Sequence, residues 1–304
     1  LNIYCQKKNL KFSVQDKGIG IVAEDLSLLF KKFVRGKGAA NIYTGGSGLG
    51  LFVAQKIIED HAIEASICKV VGSQALAFCV DEGVQIYGGM GFSEEAPMAR
   101  AYRDARINRI YEGTSEINRL VILGVLLKRS VKNEINLFDE AKKVFNELMS
   151  VPTFEDYDIN NNFSKYYNHI KKLKKGILIV LSKATLHFEN KINEEQEILM
   201  NIADMIIELY AFESLILRTN KLYLKQPNPI LLELAQASMY ESTKNMYSSG
   251  FEASCSYLHG EELNFILSAL KRYINFDPFN LKDCRRKIAD HFIKKGNYKL
   301  FNLL

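Results

Sequence analysis

The chain has 304 residues, 47% of them hydrophobic and 25% charged, the balance of a folded globular protein long enough for two or three domains. A formal net charge of +5, with no basic stripe interleaved with aromatics, excludes the footprint of a nucleic-acid-binding protein. The five cysteines, Cys5, Cys68, Cys79, Cys255 and Cys284, are widely spaced and contain no Cys-x-x-Cys pair, so neither a disulfide framework nor a zinc site is indicated and a reducing cytoplasm fits best. The sequence starts at Leu1, close to a strand-like stretch, and so reads as a fragment. Its longest uncharged apolar run, Leu120 to Leu127 with Gly124 inside, falls well short of the ~20 residues that a membrane-spanning helix needs.

In chain order, Leu10-Lys11-Phe12-Ser13-Val14 alternates as a strand does. Asp16-Lys17-Gly18-Ile19-Gly20-Ile21 follows, and then Glu24 to Phe33 repeats apolar residues at helical spacing. After a loop from Arg35 to Thr44 comes Gly45-Gly46-Ser47-Gly48-Leu49-Gly50-Leu51, which opens a helix through Phe52, Val53, Ile57 and Ile58. A carboxylate can accept a hydrogen bond from the exocyclic amine of adenine. A glycine-rich loop opening a helix offers backbone N–H groups and a dipole to phosphate. The plainer alternative is that these glycines only punctuate turns.

Asp-x-Gly-x-Gly, a Phe-containing helix and Gly-x-Gly-Leu-Gly-Leu, in that order, resemble the ATP-binding domain of sensor histidine kinases. The resemblance implies a truncated α/β ATPase sandwich over residues 1–61. Asp16, Gly18 and Gly20 would lie at the adenine, and Gly46, Gly48 and Gly50 would border the phosphates of ATP. The family's Mg²⁺-holding asparagine box would precede Asp16 and is not in the sequence, so ATP/Mg is expected to bind weakly or not at all. His61 is a junction residue and no phosphoacceptor. No Pro-, Gly- or Ser-rich spacer separates Lys56 from Lys69, and the helix from Ser47 is expected to run into one from Ala62. The join reads as a chimera, either an accidental union of two coding fragments or a functional fusion.

From Ala62 the pattern is helical, with Ala65, Ser66, Gly72, Ser73, Ala75 and Ala77 permitting tight helix contacts. Gln85-Ile86-Tyr87-Gly88-Gly89-Met90-Gly91-Phe92 is a glycine-rich turn, and Pro97 stands early in the next helix. Arg100, Arg103, Arg106 and Arg109 recur every three residues. They form either a solvated face paired with Glu94 and Asp104 or a contact surface for a phosphate or a neighbouring subunit. Tyr111-Glu112-Gly113-Thr114-Ser115-Glu116 then sets a carboxylate at a loop-to-helix corner. Gly113 frees the turn, and Thr114 or Ser115 caps the helix that follows.

The Gln-x-x-Gly-Gly and Tyr-Glu-Gly-Thr-Ser-Glu segments, in this order, resemble the acyl-CoA dehydrogenase family. The resemblance implies that residues 62–131 are the last part of its C-terminal helical domain and that Glu112 is the catalytic base. It also implies that Gln85, Gly88 and Gly89 touch the ADP part of an FAD held by a neighbouring subunit of a homo-oligomer. Thr114 and Glu116 would lie near FAD, and Gly113 against the acyl-CoA substrate.

Beyond Val131 helical stretches are expected near 138–148, 163–190, 194–225, 228–249, 261–274 and 281–295, with breaks at Lys225 to Pro229, at Ser248-Ser249-Gly250 and at Asp277-Pro278. Residues 132–304 thus read as an antiparallel helical bundle, which resembles the added domain of the very-long-chain type. His169, His187, His259 and His291 show no metal-binding interval and read as structural or surface residues. The basic run His169 to Lys175, before the apolar Ile177 to Leu181, is either a solvated helix face or a contact for anionic lipid.

The expected fold is therefore mainly α, with the truncated α/β fragment at its start. The implied chemistry is α,β-dehydrogenation of acyl-CoA thioesters in fatty acid oxidation, in a form truncated and inactive alone. A carboxylate takes the α-proton, FAD takes the β-hydride, and the thioester carbonyl is polarised so that a glutamate suffices as base. The rival readings are a truncated ATP-binding signalling module and a helical interaction protein without chemistry.

Overall fold

The computed structural model describes residues 2–6, 9–13, 61–150 and 161–297. Asp16, Gly18, Gly20, Gly46, Gly48 and Gly50 lie outside these residues, as do the helices expected over 24–33 and from Ser47. The chain divides into two compact units, Leu1–Val125 and Leu126–Leu304. Near its start, β1 (Asn2–Gln6) and β2 (Asn9–Ser13) pair antiparallel, with Ile3 opposite Phe12 and Cys5 opposite Leu10. Every described element after them is helical.

The first unit holds α1 (Ala62–Tyr87), α2 (Gly89–Phe92), α3 (Pro97–Arg106) and the beginning of α4 (Ser115–Val131). A narrow stripe of α1, Ser66, Ile67, Val70, Ser73 and Val80, is buried, and α1 packs against α3, whose Ala105 is buried. Small residues in the stripe let the backbones approach. Gly88, at φ 58°, ends α1. At Gly91 any side chain would collide with the carbonyl of Val84, so glycine is what allows α2 to fold back on the end of α1. Pro97 starts α3 as expected, where its missing N–H costs nothing.

Much of α1 remains uncovered. An 18-residue window of it has a mean hydropathy of 1.4, and only 28% of that window is buried, so by length and composition α1 could cross a membrane. Lys69, Ser73 and Gln74 break its apolar run, but the remaining residues keep the mean hydropathy high. The exposed apolar surface continues past its end, with Ile86 81% and Phe92 85% exposed beside Tyr87 and Met90.

The second unit is a helical bundle of α5 (Leu137–Leu148), α6 (Ser164–Phe188), α7 (Gln196–Lys225), α8 (Pro229–Cys255), α9 (Gly260–Tyr273) and α10 (Leu281–Lys295). On α7 the buried residues Ile198, Ile202, Met205, Leu209, Phe212, Ile216 and Thr219 alternate steps of four and three. That is the spacing of a helix seated along its whole length on a neighbour, here α8. Asn228 caps α8 by accepting from the Ile230 N–H at 3.1 Å, and Pro229 is its first residue. Leu222, Ile230 and Leu231 close this end of the pair, with Ile288 and Phe292 of α10 packed on them.

One expected break is absent. The helix of Ser248, Ser249 and Gly250 runs on unbroken to Cys255. Gly250 marks a close approach: an added Cβ would fall 3.1 Å from Met205 and 3.3 Å from Leu270. The lipid option for the His169 to Lys175 stretch also fails in the fold. His169, Ile170, Leu173, Ile177, Ile179, Val180 and Leu181 are all buried in the bundle, so this helix keeps no apolar face for lipid. Two of its lysines instead meet carboxylates, Lys174 on Glu213 at 2.8 Å and Lys175 on Glu147 at 2.9 Å. Tyr273 also donates to Glu147, at 3.0 Å. Burial alone would raise the Glu147 carboxyl, but the hydrogen bonds from Lys175 and Tyr273 outweigh it and hold it below the usual range.

Candidate functional site

The corner that carries Glu112 is built from local hydrogen bonds outward. After α3, Ile107–Arg109 forms a 3-10 turn, and the N–H groups of Ile110 and Tyr111 both return to the Ile107 carbonyl, at 2.9 and 3.1 Å. Asn108 donates to the carbonyls of Asp104 and Ala105, closing the end of α3, and accepts from the Tyr111 hydroxyl at 2.6 Å. The chain then reverses through two successive left-handed residues, Glu112 at φ 56° and Gly113 at φ 81°. Glycine adopts such a φ freely. For Glu112 it costs on the order of 1–2 kcal/mol, a conformation kept only where the surroundings impose it.

Those surroundings are specific. The Gly113 carbonyl accepts from Lys69 Nζ at 2.6 Å and from Asn118 Nδ2 at 2.9 Å, and Asn118 donates to the Thr114 carbonyl as well, at 3.0 Å. Lys69 comes from α1, 44 residues away, whereas Asn118 belongs to α4. Thr114 caps α4, its hydroxyl oxygen accepting from the Ile117 N–H at 3.2 Å. Glu116 is held below the usual carboxylate range by its own N–H and the Thr114 hydroxyl, with Arg119 and Lys69 adding to the effect. Ser115 Oγ is buried without a hydrogen-bond partner among the described residues. Glu112 itself is half-buried.

The second motif lies elsewhere. Gln85 is exposed on the last turn of α1, and Gly88 and Gly89, also exposed, join α1 to α2 with nothing near their α-carbons. Lys69, which reaches the Glu112 corner, and Gln85 stand about 24 Å apart along α1, at about 1.5 Å per residue. The arginines separate into two groups. Arg103 grips Glu94 with two parallel bonds of 2.7 and 2.8 Å, and Arg100 lies 3.6 Å from Asp104, both on the surface. Arg106 and Arg109 instead line a cleft of about 350 Å³ between α1 and α3, with Gln74, Asp81 and Tyr102. Lys69 and Asn118 were not singled out by sequence. The signal for Lys69 was available, since it is the only lysine or arginine in the apolar α1.

Comparison with known proteins bears on the same segments. Residues 48–127 and residues 172–272 each match a family described as "Acyl-CoA dehydrogenase, C-terminal domain". Residues 1–84 match "Histidine kinase-, DNA gyrase B-, and HSP90-like ATPase", so the two assignments overlap over 48–84. A "Probable acyl-CoA dehydrogenase" of Bacillus subtilis (strain 168) is 37% identical over 249 residues, covering 80% of this chain and 41% of that protein. The rat "Very long-chain specific acyl-CoA dehydrogenase, mitochondrial" (Rattus norvegicus) is 32% identical over 180 residues, covering 54% of this chain and 27% of that protein. Among solved structures, an acyl-CoA dehydrogenase complexed with FAD from Bacillus anthracis aligns with a TM-score of 0.75 and 35% identity, covering 82% of this chain and 42% of that one. The chain spans about two fifths of the length of the Bacillus relatives it matches. The greater part of the chain is thus acyl-CoA dehydrogenase-like in sequence and in fold.

Proposed function

We propose that residues 62–304 act as the C-terminal part of an FAD-dependent acyl-CoA dehydrogenase, with Glu112 as the base that takes the α-proton of an acyl-CoA thioester. The observation that carries this reading is the corner itself. A glutamate is held at φ 56°, against its own preference, by hydrogen bonds from two helices to the next residue's carbonyl. Such strain at a carboxylate is characteristic of a group whose position matters to function. By the family resemblance Gly113 would lie against the acyl-CoA substrate, while on its own side of the corner Asn118 and Ile117 fill the space a side chain would take.

The residues present fit the edge of the cofactor. Ser115 Oγ is a buried polar atom without a hydrogen-bond partner among the described residues, next to Thr114 and Glu116. Gln85 offers an exposed amide, and the open surroundings of Gly88 and Gly89 admit a flat polar group. FAD, when bound, supplies the acceptor for the β-hydride. The separation along α1 favours two different flavins for the two motifs, Thr114 and Glu116 at one and Gln85, Gly88 and Gly89 at that of a neighbouring copy. The uncovered apolar side of α1 and α2 supports the same arrangement, since it offers a face for a protein partner. A bilayer would have to detach Lys69 from Gly113, so we favour protein over lipid there.

The experiment joins the N-terminal domains of the Bacillus subtilis relative to residues 62–304 in place of its own C-terminal part. The graft should oxidise acyl-CoA, and Glu112→Gln should lower kcat by about 10²–10⁴-fold while leaving flavin bound, since the amide keeps the shape but takes no proton. Full activity of the Glu112→Gln graft refutes the assignment.

For residues 1–61 the family match supports a second reading, a partial ATP-binding domain joined to the dehydrogenase segment as a chimera. Amplification of genomic DNA across codons 55–70 tests the join. Its absence there would identify the union as accidental.

A further inference from the structure

We propose that Lys69 is the positioning residue for Glu112, holding the left-handed corner in place from α1 through the Gly113 carbonyl. The inference rests on the reading of Glu112 as base and adds to it the residue that sets the base's direction. Three observations converge on it. The Lys69–Gly113 bond, at 2.6 Å, is a charge-assisted hydrogen bond at a half-buried site, the stronger kind. It fixes the peptide plane that immediately follows Glu112–Gly113, and so constrains the ψ of Gly113 and, through the turn, the direction of the Glu112 side chain. The other donor to that carbonyl, Asn118, belongs to the helix the corner itself opens and moves with it. Between these two donors, Lys69 is therefore the one that refers the corner to a separate element.

The choice of residue type also follows. The donor must reach from α1 to a backbone oxygen of the corner, and lysine's flexible four-carbon stem spans the gap. Ile67 and Val70, on either side of Lys69 in α1, are fully buried, so this stretch of helix is rigidly seated. A tether is only as stiff as its anchor. The same ammonium lies near Glu116 and helps to keep that carboxyl ionised beside the cap.

The test has one arm on the 304-residue chain and one on the graft described above. In the chain, amide hydrogen exchange is followed at Ile117 and Asn118, whose N–H groups bond to Thr114 at 3.2 and 3.0 Å and so report on the corner. Lys69→Met should speed exchange at these two amides by about tenfold or more, the factor associated with losing one charge-assisted hydrogen bond, and leave α7 and α8 unchanged. Lys69→Arg, which keeps a long cationic donor, should retain most of the protection and covers the case in which the Met variant folds poorly. Parent-like exchange in Lys69→Met overturns the tether.

In the graft, Lys69→Met should lower kcat and leave the KM for acyl-CoA near its parent value. Added to Glu112→Gln, it should cost nothing further, because a positioning residue acts through the group it positions. An equal loss in both backgrounds overturns the positioning role and leaves the base assignment standing. A fully active Glu112→Gln graft removes the base reading itself, an outcome visible before Lys69 is touched.

Discussion

Glu112 and Gly113 are adjacent and share a left-handed backbone, yet the two residues carry it at different cost. Gly113 adopts φ 81° without strain, and an added Cβ there would fall 3.0 Å from Asn118 Nδ2. Gly113→Ala should therefore strain the backbone and push away one of the two donors to its own carbonyl. A loss of about 1–2 kcal/mol in unfolding free energy is expected from the backbone alone, measured by denaturant titration of the 304-residue chain. An unchanged midpoint would mean that the corner relaxes to another φ and is not imposed by Lys69 and Asn118. The glycine was legible in the sequence as a turn residue. The positive φ of Glu112 was not, because no local preference selects a glutamate for that region; it is imposed by bonds from residues 44 positions back and five positions on.

Among the elements, α6 illustrates how burial changes the meaning of a residue. His169 lies in it with its ring against Phe212, 5.8 Å between centroids, and its Nε2 is 2.7 Å from Thr243 Oγ1. The Thr243 hydroxyl donates to the Met239 carbonyl, so His169 is the donor in their shared bond, through Nε2–H. Burial, with the Lys172 charge adding to it and Asp277 opposing, lowers the His169 pKa from 6.5 to about 4. A depressed histidine stabilises the fold fully above its unfolded pKa, and the contribution is lost as pH falls from about 6.5 towards 4, where the unfolded chain takes up the proton first. Roughly 3 kcal/mol of stability is at stake over that window. His169→Phe leaves the Thr243 hydroxyl satisfied by Met239 and should flatten this part of the pH dependence, read from unfolding free energies between neutral pH and about pH 4. Parallel curves for the parent and His169→Phe would show that His169 titrates normally.

For the whole molecule, the expectation is that residues 1–304, purified alone, carry no flavin absorbance and do not oxidise acyl-CoA. The chain spans 41% of the Bacillus subtilis relative. Gln85 and Lys69, whose ammonium reaches the Glu112 corner, stand about 24 Å apart along α1. A base supplies its 10²–10⁴-fold only when substrate and acceptor are held within reach of it. Flavin retained through gel filtration, with turnover by this chain, would overturn that expectation.

The amino-acid sequence by itself determined the helical character beyond Ala62 and nearly every helix boundary of the bundle. Those features depend on local signals: apolar spacing, Pro97 and Pro229 at helix starts, Thr114 and Asn228 as caps. It also determined which carboxylate to inspect, because Glu112, Gly113 and Thr114 are contiguous. Only the tertiary structure decided the rest. Gly250 is locally a helix breaker, but inside α8 it serves close packing against α7 and α9, which no local preference encodes. Arg100 and Arg103 could not be told apart from Arg106 and Arg109 until Glu94, Asp104 and the cleft beside α1 were in place. In the sequence Lys69 is the one lysine or arginine of α1. Its ammonium acquires a function only when folding brings the Gly113 carbonyl within 2.6 Å, because a hydrogen bond is a property of two groups and their separation, and the sequence records one group at a time.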